Sequence, residues 1–267
     1  MAKVQSGLIA VKGKLGDQII TTSKGRYGST IRQVVKPGTK KNEPALKQQY
    51  SRTGFLNALA SDINTMIEAN CGNFKSGRFY ENLQRRFRRE PENNRLLLLQ
   101  QLKGMEVHDA YPFSKHGLPV INCTARKTDL LVRLDVRRHP FTLTRGINSY
   151  YYEVVACTWN RKEEPGDCDA QYSEWVYKKD ALPVFDFVFK KPAGAIHWMV
   201  CLRIRLARNE VEEESFLAEG MQVIDAGSFD KREQEWLLAR KQEQQKPVSR
   251  VAKKVLKIVR VKASNKI

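Results

Sequence analysis

Apolar residues in this chain repeat with two different periods, and the change between them near residue 106 most limits the possible folds. From about residue 42 to this point they recur every three to four residues, which is typical of amphipathic helices. After it they alternate with polar residues, as in 130–136 and 196–206, which is typical of half-buried strands. We therefore expect an α+β chain whose helices and main strands lie in different parts of the sequence.

The first part predicts three helices. One begins near Asn42, where Pro44 occupies a position at which a missing amide costs nothing, and ends at Gly72. A second runs over about 77–90, and a third over 93–103. With the segment that precedes them, these helices form a predicted basic module over 1–105.

The second part predicts strands over 120–124, 130–136, 150–159, 172–177, 184–189, 196–206 and 216–224. This number of short strands at close spacing indicates an antiparallel immunoglobulin-like or fibronectin-like β-sandwich over 120–230. Residues 106–119 contain two prolines and a glycine without any period, so we interpret them as a linker. Because the strands carry their own alternating core, we expect 106–230 to fold as a separate fragment.

The first 55 residues combine glycine and basic residues with a few aliphatic ones. Three β-branched runs bounded by glycine, 8–11, 19–22 and 30–35, predict short strands joined by tight turns. A small β-ribbon of this kind has too few apolar side chains to bury a core of its own, so it must lie on a partner surface.

The same segment carries a likeness to a known family. The residues concerned are Gly7, the Gly13-Lys14-Leu15-Gly16 turn, Gly25, Arg32, Pro37, Gln48, Arg52 and Phe55. Over these positions the chain resembles an uncharacterised family of Bacteroidetes proteins, and the resemblance covers about the first sixty residues. It implies a Gly-rich opening, a helix carrying Gln, Arg and Phe, and a sandwich-like C-terminal domain. It implies no activity.

Positive charge is concentrated at both ends of the chain, whose formal net charge is +18. Residues 1–105 hold 19 Lys and Arg against 7 Asp and Glu, a balance of +12. The middle, 106–230, holds 16 against 19, and 231–267 holds 12 against 3, so the balances are −3 and +9. Basic ends around a near-neutral middle are typical of arms that bind a polyanion, although a solvated basic surface is the simpler interpretation.

We predict phosphate contacts in three segments, namely the ribbon, the second helix and the tail. In the second helix Phe79, Leu83 and Phe87 predict a buried face, which leaves the arginines for solvent. A last helix is predicted over 228–245, and beyond Pro247 the tail is a basic helix, an arm or an edge strand. The predicted nucleic-acid-binding residues are Lys12, Lys14, Lys24, Arg26, Arg32, Arg85, Arg86, Arg88, Arg89, Lys253, Lys254 and Lys257.

No motif in the sequence predicts catalysis. Gly13-Lys14 lacks the spacing of a phosphate-binding loop, and the four histidines lack the spacing of zinc ligands. The five cysteines form no Cys-x-x-Cys pair, so we interpret them as free thiols in a reducing compartment. We expect no enzymatic activity, no cofactor and no metal.

These observations favour a non-catalytic protein that binds DNA or RNA through its basic ends. A cytoplasmic location is expected, because the chain shows no signal peptide and no apolar run of membrane-spanning length. The alternative is a structural or accessory component of a phage-like or cell-surface assembly. In that alternative the ribbon pairs with the sheet edge of a neighbouring chain or of a second copy.

Overall fold

The computed structural model describes residues 43–140, 146–160, 166–212 and 215–245, and the strand segments 3–5, 10–15, 18–21 and 30–33. Within those ranges side chains are described from residue 48 to residue 243. The chain divides into two compact units, residues 1–51 and residues 52–267. Helices and sheets are both present, and every described strand pair is antiparallel, which confirms the α+β class.

The first unit contains a sheet of four short strands. They are β1 (Lys3–Gln5), β2 (Ala10–Leu15), β3 (Gln18–Thr21) and β4 (Thr30–Gln33). The strands are hydrogen-bonded in the order β1-β2-β3-β4. The register places Lys14, Ile19 and Arg32 opposite one another across β2, β3 and β4.

The described helices are α1 (Glu43–Cys71), α2 (Phe79–Phe87), α3 (Arg95–Gln100) and α4 (Lys231–Gln245). Helix α1 ends where Gly72 adopts a φ of +53°, a left-handed conformation that favours glycine. Helix α3 begins where the Asn94 side chain accepts a hydrogen bond from the Leu97 amide at 3.3 Å. Among the described residues, none of the helices is both long and apolar enough to cross a membrane.

The second unit contains two antiparallel sheets. Their strands are β5 (Val120–Ala125), β6 (Asp129–Asp135), β7 (Ser149–Asn160), β8 (Asp167–Tyr172), β9 (Val176–Tyr177), β10 (Val184–Lys190), β11 (Ala195–Arg208), β12 (Val211–Glu212) and β13 (Glu219–Ser228). The smaller sheet has the order β10-β6-β5. The six-stranded sheet has the order β12-β11-β7-β8, with β13 paired to β11 and β9 paired to β7.

Both faces of the six-stranded sheet are covered. On one face Val154, Val200 and Leu202 share a core with the three-stranded sheet. On the other face Cys157 and Met199 share a second core with α1, α2 and α3. Strand β7 is therefore buried at every residue but its last, which explains why its sequence is apolar on both sides and shows little alternation.

Residues 106–119, which the sequence predicts to be a linker, are anchored to β13 in the second unit. The Val107 amide donates to the Met221 carbonyl at 2.9 Å, and Val107 is fully buried. The Glu106 carboxylate accepts hydrogen bonds from the Phe113 amide at 2.8 Å and from the Gln222 side chain at 2.7 Å. The segment shows no sequence period because it contains only one short 3-10 helix, Phe113–His116, and is otherwise held in place by contacts of single residues.

Gly54 lies at an exposed position within α1, and a Cβ added there would meet nothing within 4 Å. We expect Gly54→Ala to raise the free energy of unfolding by about 1 kcal/mol, because alanine loses less backbone entropy in a helix. Urea unfolding measures the change. Gly104→Ala is the control and should destabilise the protein, since Gly104 has a φ of +75°. A loss of stability in Gly54→Ala would contradict the expectation.

Candidate nucleic-acid interface

Helix α2 and its flanking residues have one apolar and one basic side. Phe79, Leu83 and Phe87 have no exposed surface, which confirms the predicted buried face. The basic side consists of the exposed residues Arg78, Arg85, Arg88 and Arg89, which we call the arginine face. Arg78 and Arg85 are seven residues apart, so they lie on the same side of the helix two turns from each other.

The arginine face has no acidic partner in the part of the chain that the structure describes: no carboxylate there forms an ion pair with any of its four residues. Glu81, which is exposed, is the one acidic residue of α2. The pKa of the neighbouring Arg86 is lowered by burial and, to a lesser degree, by repulsion from Arg89. The exposed guanidinium groups of the arginine face therefore attract anions.

Arg86 differs from the other predicted arginines. It directly precedes the buried Phe87 and lies at the border of the buried side, where it is half-buried. Its Nη1 donates to the Gln101 carbonyl at 2.9 Å and to the Lys103 carbonyl at 3.4 Å. These contacts satisfy carbonyl groups just beyond α3. Arg86 therefore stabilises the helical layer, by which we mean α1, α2 and α3 packed on one face of the six-stranded sheet.

The end of α2 is tied to α4 through two acidic residues. Glu90 is 6% exposed, and its carbonyl accepts a hydrogen bond from Arg52 at 2.6 Å. Arg240 of α4 forms an ion pair with Glu92 at 2.8 Å and lies 3.8 Å from the Glu90 carboxylate. Helix α4 ends at Gln245, about 8 Å of helix beyond Arg240. The helix that leads into the basic tail therefore contacts the residues that follow α2.

A cavity of about 250 Å³ lies within the second unit. It is lined by Tyr111, Pro112, Lys115, His116, Phe216, Leu217 and Glu219. The Tyr111 ring centroid lies 5.7 Å from that of Phe216 and 4.7 Å from that of His108. Phe216 is 40% exposed and Leu217 is 50% exposed, so apolar surface at this aromatic cavity faces solvent.

Asn82 connects the arginine face to the aromatic cavity. Its Nδ2 donates to Asp109 Oδ2 at 2.9 Å, and Asp109 lies between His108 and the cavity residue Tyr111 in the chain. Arg78 is four residues before Asn82 and Arg85 is three residues after it, so both are its neighbours on the helix surface. The basic side of α2 therefore runs alongside the segment that contributes Tyr111.

A second charged cluster is buried where β7, β11 and β13 meet the end of α1. Arg203 pairs with Glu153 at 3.1 Å and with Glu219 at 2.7 Å, and the three side chains are 7%, 3% and 8% exposed. Arg203 also donates to the Asn70 carbonyl at 2.9 Å, at the end of α1. Burial raises the pKa of Glu153, and Arg203 opposes that rise. Because these charges are paired with one another, removal of one partner would leave a buried charge uncompensated.

The remaining predicted residues lie in the two terminal segments. Lys12 and Lys14 are in β2, and Arg32 is in β4. Lys24, Arg26, Lys253, Lys254 and Lys257 lie outside the described residues. Across the ranges that are described, no group of three or more His, Cys, Asp or Glu residues is arranged to hold a metal ion.

Two features of this surface were not predicted from the sequence, namely the link between Glu90 and Arg240 and the aromatic cavity. The arginines that the sequence leaves for solvent in this helix include Arg78, which carried a signal because it lies seven residues before Arg85. The cavity carried none, since Tyr111 and Phe216 are distant in sequence. Phe216 also lies in a predicted strand, 216–224, whose first residues form a 3-10 helix, Phe216–Ala218, in the structure.

No protein-family model matches the chain, and no curated protein and no solved structure matches it. The resemblance to the Bacteroidetes family stays a prediction. The function is therefore inferred from the arrangement of the residues.

Proposed function

We propose that this protein is a non-catalytic nucleic-acid-binding protein that contacts phosphates through its arginine face. The observation that carries the proposal is the group of four exposed arginines that have no carboxylate partner among the described residues. Guanidinium groups bind phosphate oxygens through paired donors, and such contacts hold the nucleic acid without reading its sequence.

The basic terminal segments extend the proposed contact. Lys12, Lys14 and Arg32 in the N-terminal sheet, and the tail that contains Lys253 to Lys257, are proposed to bind further phosphates. The tail follows α4, which the Arg240 ion pair holds beside the end of α2. This contact supports a shared path for the tail and the arginine face. Arg86 is left out of the proposed contact, because its guanidinium donates to backbone carbonyls.

Replacing Arg85, Arg88 and Arg89 together by serine tests the proposal. We expect the affinity for a 12-nucleotide single strand at 100 mM salt to fall about a hundredfold, and the slope of log affinity against log salt to fall by about 2. Both follow from the loss of about three phosphate contacts, and fluorescence anisotropy over a salt series measures them. The control replaces the exposed residues Lys127, Lys179 and Lys190 by serine, which removes the same net charge elsewhere.

The control variant should bind within about twofold of the parent protein, because mutations far from a contact leave it nearly unchanged. Equal losses in the two triple variants would mean that net charge alone, rather than the arginine face, attracts the strand. Unchanged affinity in the arginine variant would contradict the proposal.

The second candidate function is a role in assembly through the N-terminal sheet. It is supported by β1 and β4, each of which pairs with a single neighbour among the described strands and so forms a sheet edge. Absorbance of the purified protein with and without nuclease separates the two functions. Carried nucleic acid favours the first, whereas oligomers without nucleic acid in light scattering favour the second.

We also propose that the second unit contains the predicted β-sandwich and that the first unit contains the predicted β-ribbon. The immunoglobulin-like or fibronectin-like sandwich is supported by the single core that the three-stranded and six-stranded sheets share. The N-terminal ribbon is supported by the antiparallel order of β1 to β4. The cytoplasmic location stays a prediction from the sequence.

A further inference from the structure

The aromatic cavity is connected to the arginine face through the Asn82–Asp109 hydrogen bond and has the chemistry of a base-binding site. Its walls include the rings of Tyr111 and Phe216, and Lys115 contributes an exposed side chain. We propose that it holds an unpaired base of a single-stranded nucleic acid whose phosphates lie along the arginine face. This inference rests on the proposed function and deepens it, because it selects single strands over duplexes.

The size of the cavity favours a small planar group. At about 250 Å³ it is smaller than the roughly 300–1,000 Å³ pockets that enclose drug-sized ligands, so it suits one ring system. Phe74, His108, Tyr111 and Phe216 form a continuous group of rings, with centroids 4.7 to 6.0 Å apart. Bases stack on such rings whatever their sequence, since every base has a π face.

Charge around the cavity determines which planar ligand fits best. Lys115 and the arginine face contribute positive charge on the side of the Asn82–Asp109 contact. The acidic groups there are Glu81, Glu106, Asp109 and Glu219. The Glu106 carboxylate accepts hydrogen bonds from the Phe113 amide and the Gln222 side chain, and the Glu219 carboxylate is paired with Arg203 and Arg205. Asp109 accepts its hydrogen bond from Asn82. A planar group attached to phosphates complements this combination better than a neutral aromatic ligand or an apolar peptide does.

A single side-chain contact links the arginine face to the segment that contributes Tyr111 to the aromatic cavity. Asn82 contacts Asp109, and its helix neighbours Arg78 and Arg85 belong to the arginine face. A strand that lies along α2 can therefore turn one base into the cavity while its adjacent phosphates stay at Arg78 and Arg85. In a duplex the base is paired and stacked, so it enters only after being unpaired at an energetic cost.

Phe216→Ala in the full chain tests the inference with a 12-nucleotide oligothymidine and an abasic strand of the same length. We expect about a tenfold loss of affinity for oligothymidine and less than a twofold change for the abasic strand, because only the stacked base is lost. Phe216→Tyr should retain the parent affinity, since it keeps the ring. Tyr172→Ala removes another exposed aromatic residue, outside the cavity, and should change neither affinity.

Ultraviolet crosslinking of oligothymidine gives an independent result and should map to peptides that contain Tyr111 or Phe216. Phe216→Ala could bind oligothymidine like the parent while the triple arginine variant binds it weakly. That result would contradict the proposed base-binding cavity and support the proposed phosphate contact. If the parent protein binds neither strand, both the inference and the proposed function are wrong. Equal loss for both strands in Phe216→Ala would also overturn the base site.

Discussion

Replacing Arg203 by methionine should lower the free energy of unfolding by about 3–5 kcal/mol, because it leaves the buried Glu153 carboxylate without its ion-pair partner and leaves Glu219 with Arg205 alone. Glu153 and Glu219 are 3% and 8% exposed, and Arg203 lies 3.1 Å and 2.7 Å from them. Methionine also removes the donor to the Asn70 carbonyl at the end of α1. Urea unfolding followed by tryptophan fluorescence measures the loss.

The pH dependence of this variant identifies the cause of the loss. The pKa of Glu153 is raised by burial in the folded protein, and removing Arg203 removes the charge that opposes the rise. An acid with a raised folded pKa favours folding at low pH and loses that contribution as pH rises through the folded pKa. The destabilisation in Arg203→Met should therefore be smaller near pH 5 than near pH 8.

A matched variant carries Arg203→Met together with Glu153→Gln and Glu219→Gln. It should recover much of the lost stability, because it leaves fewer buried charges without a partner. A loss below about 1 kcal/mol in Arg203→Met alone is typical of exposed ion pairs and would contradict the buried arrangement.

A fragment of residues 106–230 should fail to fold cooperatively, because it lacks the helices that cover one face of its larger sheet. Cys157, Trp159 and Met199 on that face share a core with α1, α2 and α3. Trp159 also loses its hydrogen bond to Asp62 of α1, which measures 2.6 Å. A sheet with this much exposed apolar surface should aggregate or bind the dye ANS.

The comparison fragment contains residues 52–245, which include the helical layer and both sheets of the second unit. It should unfold in one transition by circular dichroism and by fluorescence. Cooperative unfolding of the 106–230 fragment at similar stability would show that folding does not need the helices. It would then agree with the sequence analysis, which predicts that this fragment folds separately.

Helix α1 and the strands of the second unit were predictable because each has a strong local pattern. The bounds of α1 agree with the prediction to within one residue, since Pro44 and Gly72 mark its ends. The alternation from Trp198 to Leu206 also assigned one face of β11 correctly to the core.

The opposite face of β11 could not be predicted from that pattern. Arg203 and Arg205 stand at the polar positions of the alternation, which predicts contact with solvent. In the fold that face is also covered, and Arg203 is 7% exposed with two carboxylate partners. A polar residue in an alternating strand faces either water or a partner, and only tertiary contacts distinguish the two.

The candidate site was predictable only where it follows a helical period. Phe79, Leu83 and Phe87 predicted which side of α2 is buried, and therefore which arginines are exposed. Arg86 lies at the border between the two sides, and its hydrogen bonds depend on where α3 ends. The aromatic cavity depends on contacts between two segments that are distant in sequence and contain only short 3-10 helices, and a single sequence carries no signal for these contacts.

The helical layer has a consequence for biosynthesis. Its apolar side packs on β7, β11 and β13, and β13 ends at Ser228, far beyond the end of α1 at Cys71. At about 5–20 residues per second, a ribosome needs about 8–30 s to make the chain between those two points. During that time the nascent helices lack the sheet that covers them. We therefore expect the emerging chain to be held by a chaperone until β13 leaves the exit tunnel.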